Sequence, residues 1–263
     1  MHLKFLHDVL QSNGFKIVFE NIDQVPEEEY AQIRMQGFGA SDSSKLLHCN
    51  PFPNGSRLDL CKEKATGVVD ESIGKKASVR MGKDIEWIIL GKAQNILNNF
   101  ELVPGIVFKP PHMYGNAHHL NINYDGIFID DELISAFPVE AKAVTKYGRR
   151  YYNFNKSRYY TKDGELQPAR EIPPKYEGPK VQIDSYCLAA AEHYGIPVYY
   201  YTQIQQQMIG TRGDGYLAVM DVDNWDIHLF YIHMDEYVQS ELTKQGDIAW
   251  SIVQIQKEKG ESK

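Results

Sequence analysis

The chain has 263 residues, 43% hydrophobic and 24% charged, which is the make-up of one large globular domain or two small ones and excludes wholesale disorder. No apolar run approaches the roughly 18 residues of a spanning helix, and the N-terminus has no long apolar stretch before a small-residue cleavage site, so neither membrane insertion nor secretion is expected. Three cysteines (Cys49, Cys61 and Cys187) without a CxxC pair exclude a four-cysteine metal site and suit a reducing, cytoplasmic setting.

In chain order, residues 26–36 (PEEEYAQIRMQ) open with Pro and three Glu, which predicts a helix start through the fixed φ of Pro and the macrodipole. The following GFGASDSSKLLH predicts Ser41 as the cap of a short helix ending before Asn50-Pro51. Residues 77–99 repeat apolar side chains at helical spacing (Ile85, Ile89, Ala93, Leu97) and form the longest predicted helix. Strands are predicted at 101–108, 119–130 and 134–142, and a Pro- and Gly-rich loop at 163–179. A helix at 180–194, an apolar, aromatic run at 197–208, strands at 215–222 and 226–233, and a C-terminal helix at about 235–258 complete the chain. Helices flanking a central group of strands predict a single α/β domain over 1–263 with a mixed sheet. His118-His119 reads as a pair at a strand edge. The nine histidines show no HExxH or comparable spacing, which argues against a zinc hydrolase.

The net charge of −7 would argue against a polyanionic partner if it were evenly spread. Between Lys142 and Lys162, however, the chain reads KAVTKYGRRYYNFNKSRYYTK, with seven Lys or Arg, no Asp or Glu and six aromatic rings. This window carries +7, leaving −14 on the remainder. Screening confines a charge's field to about 8–10 Å at physiological salt, so a concentrated cationic stretch attracts phosphates whatever the global sign. Interleaved rings can stack on exposed bases, which makes Lys146, Arg149, Arg150, Lys156 and Arg158 candidate DNA contacts. A solvated, Tyr-rich loop without a ligand would have the same composition.

The chemistry centres on Asp125 and Glu140-Ala141-Lys142. Period-two alternation puts Glu140 and Lys142 on one face of their strand, and a neighbouring strand can bring Asp125 opposite them. Two converging carboxylates repel, and a hard divalent cation such as Mg²⁺ relieves this with oxygen ligands, the Ala141 carbonyl among them. Lys142 could then orient or deprotonate the attacking water, or stabilise charge on a phosphate.

Four segments in order, YAQIRMQGFGASD from Tyr30, MGKDIEWIILGKA, NYDGIF with VEAK, and IPVYYYTQIQQQMIGTRGDGYLAVMD, together resemble the lambda-exonuclease-like (YqaJ-type) branch of the PD-(D/E)XK nucleases. Gln36 falls where that branch usually has Gly, and Tyr124 where it usually has Pro. The resemblance implies a restriction-endonuclease-like core, a central mixed β-sheet flanked by helices. It assigns Glu86 as a helix acid near the metal, Asp125 and Glu140 as metal-binding acids and Lys142 as the catalytic lysine. Arg34 and Ser41 match residues that hold a terminal 5′-phosphate, a role that a guanidinium and a hydroxyl at a helix start suit physically. Gln203 matches the glutamine that positions the reacting phosphate or water, and Gln205 its DNA-side companion. A rival match, Gln182 with Tyr186, fits the Gln-x-x-x-Tyr pattern of RecB-like members. Sixty residues separate Lys142 from Gln203, more than the family usually has, which suggests an insertion at about 143–195.

The activity implied is Mg²⁺-dependent hydrolysis of linear duplex DNA from its ends, 5′→3′, leaving 3′ single strands for recombination by strand annealing. One or two ions per site are expected, with Mn²⁺ able to substitute. The expected partners are duplex ends, a single-strand-annealing recombinase and further copies of the chain in a ring, a trimer by resemblance, in the host cytoplasm if phage-encoded. The alternatives are a structure-specific or RecB-like endonuclease of the same superfamily and, from another class, a catalytically silent DNA-binding protein.

Overall fold

The computed structural model describes residues 1–19, 26, 29, 32, 34–52, 55–67, 77–100, 105–108, 110, 114–130 and 132–261. Helix α1 (His2–Ser12) buries Leu6 and Leu10 and stops at Asn13-Gly14, where Gly14 takes φ +84°. Strands β1 (Lys16–Phe19) and β2 (Phe38–Gly39) follow, then a 3₁₀ turn over Ala40–Asp42 that runs into α2 (Ser43–Leu46). Helix α3 (Arg57–Thr66) begins at a reciprocal cap: the Ser56 hydroxyl accepts from Asp59 N–H, and Asp59 accepts from Ser56 N–H. Helix α4 (Ala77–Phe100) is followed by β3 (Gly105–Phe108), β4 (Tyr114–Ala117), β5 (Leu120–Ile122), β6 (Gly126–Asp130), β7 (Ala136–Val144), β8 (Tyr159–Lys162) and β9 (Glu165–Leu166). Helices α5 (Ile183–Tyr194) and α6 (Val198–Thr211), strands β10 (Gly215–Asp221) and β11 (Asp226–Ile232), and helix α7 (Glu236–Glu261) end the order.

The main sheet has seven strands in the order β3-β6-β7-β10-β11-β8-β9, and a smaller sheet runs β1-β4-β5-β2. In the main sheet β7 and β10 are parallel and the other neighbours antiparallel. Strand β10 is buried along its whole length because helices cover both of its faces, and it accordingly reads as a nearly unbroken apolar run. Tyr216, Ala218 and Met220 join Ile89, Ala93 and Leu97 of α4, while Leu217 and Val219 join residues of α5, α6 and α7. The same alternation holds on β7. Val139 and Ala141 pack with α4, so Glu140 and Lys142 point to the α6 side.

The predicted mixed α/β sheet flanked by helices is present, with differences in its parts. The expected strand 119–130 is two strands broken at 123–125, which frees Asp125 from regular pairing. His118 and His119 are not strand-edge residues. They are the two-residue turn between β4 and β5, both at positive φ (50° and 60°), and the His119 ring stacks on Trp250 at 4.9 Å. Ser41 is not the helix cap: Asp42 accepts the Gly39 N–H at 3.1 Å, and Ser41 stays exposed within the turn. Of the expected helix 26–36, residues 29, 32 and 34 are helical, and 27, 28, 30, 31 and 33 lie outside the described residues, as do 101–104 of the expected strand 101–108. Within the stretch expected as an insertion, β8 and β9 extend the main sheet beyond β11.

Candidate active site

Asp125 lies immediately before β6, where its side chain continues the ladder that the backbone has not yet begun. Its Oδ2 accepts the Ala141 N–H at 2.9 Å. Gly126 beside it packs closely under α4, where a Cβ would meet the end of the Leu90 side chain at 2.8 Å. One residue either side of Ala141, Glu140 and Lys142 form an ion pair, and the Lys142 Nζ is also 3.8 Å from Asp125 Oδ2. The Lys142 ammonium lies 5.3 Å from the centre of the Tyr200 ring.

Glu140 is 1% exposed. Its Oε1 accepts from Lys142 and from Gln203 Nε2, and its Oε2 accepts from Gln207 Nε2 at 2.6 Å. Burial first, and the negative charge of Asp125 second, push the Glu140 carboxyl up to about 7 against the pull of Lys142. Burial works against the Lys142 charge too, but the carboxylates of Glu140 and Asp125 outweigh it and hold the ammonium well above the usual lysine range. In this arrangement the neighbouring carboxylates favour the charged form of Lys142.

Helix α6 supplies the remaining groups. Gln203, expected to position the reacting phosphate or water, donates to Glu140 Oε1. Gln205 does not face a ligand: it is fully buried, donates to the His233 carbonyl at 2.8 Å and accepts the Asp235 N–H at 2.9 Å, which pins the start of α7. Gln182 and Tyr186 stand apart from Glu140. Gln182 is exposed ahead of α5, and the Tyr186 hydroxyl donates to Asp235 at 2.8 Å. Two glutamines that sequence reasoning passed over are central. Gln207 holds Glu140 and donates to the Asn123 carbonyl at 3.1 Å, and Gln206 is fully buried against the segment 38–43. The available signal was a run of glutamines at 203, 205, 206 and 207 in a helix otherwise apolar enough to be buried all round.

The two residues expected at a terminal phosphate lie in the segment that leads into α2. Arg34 and Ser41 are both exposed. Lys64 of α3, 2% exposed, supports them from beneath: its Nζ donates to the Arg34 carbonyl at 3.1 Å and pairs with Asp42 at 3.5 Å.

The expected basic surface is only partly one. Arg149 pairs with Asp221 at 3.0 Å, and Lys156 donates to the carbonyls of Glu192 and His193 at the C-terminal end of α5. Arg158 lies over the Tyr159 ring at 4.7 Å. Lys146 and Arg150 are exposed, Arg150 against Tyr151.

The donor set suits a hard divalent cation in two respects. The Asp125 and Glu140 carboxylates lie close enough that the charge of one helps to raise the pKa of the other, and Gln207 Oε1 is buried with no hydrogen-bond partner among the described residues. The third acid expected here is Glu86. It is half-buried on α4, which covers the opposite face of β7, and among the described residues no three His, Cys, Asp or Glu side chains are grouped to hold an ion.

A mixed sheet that carries an acid before one strand and Glu-x-Lys on the next defines the PD-(D/E)XK class of fold. The YqaJ-like viral recombinase domain matches residues 29–213, and the chain belongs to that family. Its fold is similar to the crystal structure of LHK-Exo in complex with dAMP, with a TM-score of 0.51 and 13% identity over 88% of this chain and 94% of that one. A second solved structure, SSO0001, has a TM-score of 0.34 and 11% identity over 94% of this chain and 84% of its own. Among curated proteins none matches the chain in sequence. No described helix is long and apolar enough to cross a membrane.

Proposed function

We propose that this chain is a magnesium-dependent deoxyribonuclease that enters linear duplex DNA at its ends, removes nucleotides 5′→3′ and leaves 3′ single strands for recombination by annealing. The observation that carries this is the meeting of Asp125, Glu140, Lys142 and Gln203 at one point of the sheet in a chain of the YqaJ-like viral recombinase family. A magnesium ion held by Asp125, Glu140 and the Ala141 carbonyl, with manganese able to substitute, would supply Lewis acidity and a water acidified toward neutral pH.

The chain's own residues do the rest. Lys142, held protonated, presents a fixed charge to the anionic transition state, where such preorganised charge is worth more than in water. Gln203 and Gln207 keep the Glu140 carboxylate aimed and desolvated. Arg34 and Ser41 grip the terminal 5′-phosphate, so cutting is counted from the end. LHK-Exo, a protein of similar fold, was crystallised with the single nucleotide dAMP, the size of product such counting releases. In the same proposal the chain works in the host cytoplasm as a ring of copies, a trimer, around the duplex, and hands the 3′ strand to a single-strand-annealing recombinase.

The test is digestion of linear duplexes with and without a 5′-phosphate, and of covalently closed circles, in Mg²⁺ or EDTA. The expected result is fast loss of the 5′-phosphorylated linear duplex in Mg²⁺, slower loss of the 5′-hydroxyl one, and intact circles. Cutting of circles at the same rate would make it an endonuclease, and no cutting in Mg²⁺ would leave a DNA-binding protein.

A further inference from the structure

Gln206 occupies the same turn of α6 as the two glutamines that hold Glu140, yet its amide faces a different part of the molecule. Its Nε2 donates to the carbonyls of Phe38 and Asn121, both at 2.9 Å, so both amide hydrogens are used. Its Oε1 faces the Ser43 hydroxyl at 2.7 Å, whose single proton is shared with the Ala40 carbonyl at 2.6 Å. These contacts bracket residues 38–43, the segment that presents Ser41. The approach to the segment is equally constrained: a Cβ on Gly37 would meet the Asn121 amide at 2.5 Å, and Phe38 N–H donates to the His119 carbonyl at 2.8 Å. One rigid helical turn thus holds Glu140 through Gln203 and Gln207, and the 38–43 segment through Gln206.

We propose that Gln206 is a positioning residue that sets the distance between the 5′-phosphate pocket and Glu140–Lys142, and thereby decides which phosphodiester bond counted from the end is cut. This rests on the nuclease function proposed above. A helix is stiff along its axis, at about 1.5 Å per residue, and a shift of about 1 Å in a reacting group can cost about a hundredfold in rate. A segment released from Gln206 lets the end seat in more than one register, so the bond presented to Glu140 is no longer unique.

The experiment compares the native chain with Gln206→Met, which keeps the volume and loses the amide, and with Ser43→Ala, a milder change that removes a single hydroxyl. Each is given an internally labelled linear duplex in Mg²⁺, with and without a 5′-phosphate, and product lengths are resolved. Both variants are expected to release dinucleotides and longer products beside mononucleotides, Gln206→Met more than Ser43→Ala. Both should also lose roughly tenfold of the preference for a 5′-phosphate. Weakened folding alone lowers the total rate but moves neither readout. If Gln206→Met is unfolded, Ser43→Ala still decides the matter. A native chain that cuts in a phosphate-dependent way, with variants that keep its product lengths and preference, overturns the positioning role alone. A native chain that cuts nothing overturns the nuclease function and the positioning role together.

Discussion

The glutamine-bearing turn of α6 and the basic, aromatic stretch from Lys142 to Lys162 are both dense in polar groups, and they spend them differently. On α6, Gln203 and Gln207 converge on one buried carboxylate. In the basic stretch, Arg149 and Lys156 are turned to protein acceptors, and Arg158 covers the Tyr159 ring. Arg170 behaves in the same way: it donates to the Phe154 and Ser157 carbonyls at 2.8 and 3.1 Å and lies 3.8 Å from the centre of the Tyr160 ring. Composition alone makes the second region the ligand surface and the first a piece of core. Geometry assigns much of the cationic stretch to holding the β8 side of the fold together, and it turns the glutamine run into the support of the candidate site.

The strongest way to break this contrast is Lys142→Ala. It should lower the nuclease rate by roughly 10²–10³-fold while binding of a 5′-phosphorylated duplex in EDTA persists. An unchanged rate would detach the Asp125–Glu140–Lys142 group from the chemistry.

Next in size is Gln207→Leu, which strips the donor from Glu140 Oε2 and should cost about 1–3 kcal/mol in denaturant unfolding together with a loss of rate. Gln205→Leu, at an equally buried amide, should destabilise the fold by a similar amount yet leave the rate per folded molecule close to native. Equal rate losses in the two variants would erase the distinction between supporting Glu140 and supporting α7.

Smaller effects follow from pH. The Glu140 carboxyl is raised from 4.5 to about 7 in the folded chain, so the folded state holds that proton more tightly than the unfolded one. The stability this gives is complete below about 4.5 and is lost as pH rises through 7. The thermal midpoint of the metal-free protein should fall over that window, and Glu140→Gln should flatten the slope. His228, on β11 in register with Val219 and through it with Lys142, has the opposite sign. Burial depresses it from 6.5 to about 4, so its contribution is lost as pH falls from about 6.5 toward 4. A His228→Asn variant should lose that acid-side decline while keeping the Glu140 slope.

Smallest is the change in salt dependence. Neutralising the exposed Lys146 and Arg150 should weaken DNA binding modestly and reduce the slope of log affinity against log salt by about 2. Neutralising Lys156 should instead lower stability and leave the slope unchanged, because its ammonium is bound to the end of α5.

Much of the architecture was open to local pattern. The α4 periodicity, the apolar β10 and β11 runs and the α7 span all matched within a few residues, since each is an uninterrupted repeat of one period. The α1 helix is legible only as the i, i+4 pair Leu6 and Leu10, too short a repeat to mark a helix by itself. The Ser56–Asp59 cap of α3 was likewise legible and passed over. Glu86 follows the family pattern in sequence, while its helix packs on the other face of β7 and no group of three such ligands forms among the described residues.

Local order was sufficient for Asp125 and for Glu140-Ala141-Lys142, because strand alternation places a residue and its second neighbour on one face whatever surrounds them. It could not decide what those groups touch. Gln203 lies 63 residues from Glu140, and Gln206 lies 163 residues from Ser43, so neither pairing leaves a periodic trace. A buried amide or ammonium takes whichever acceptor packing delivers, since leaving it unpaired costs more than any local preference supplies. That is why Gln205, Gln206, Gln207 and Lys64 acquired their tasks only once the sheet and helices had closed around them.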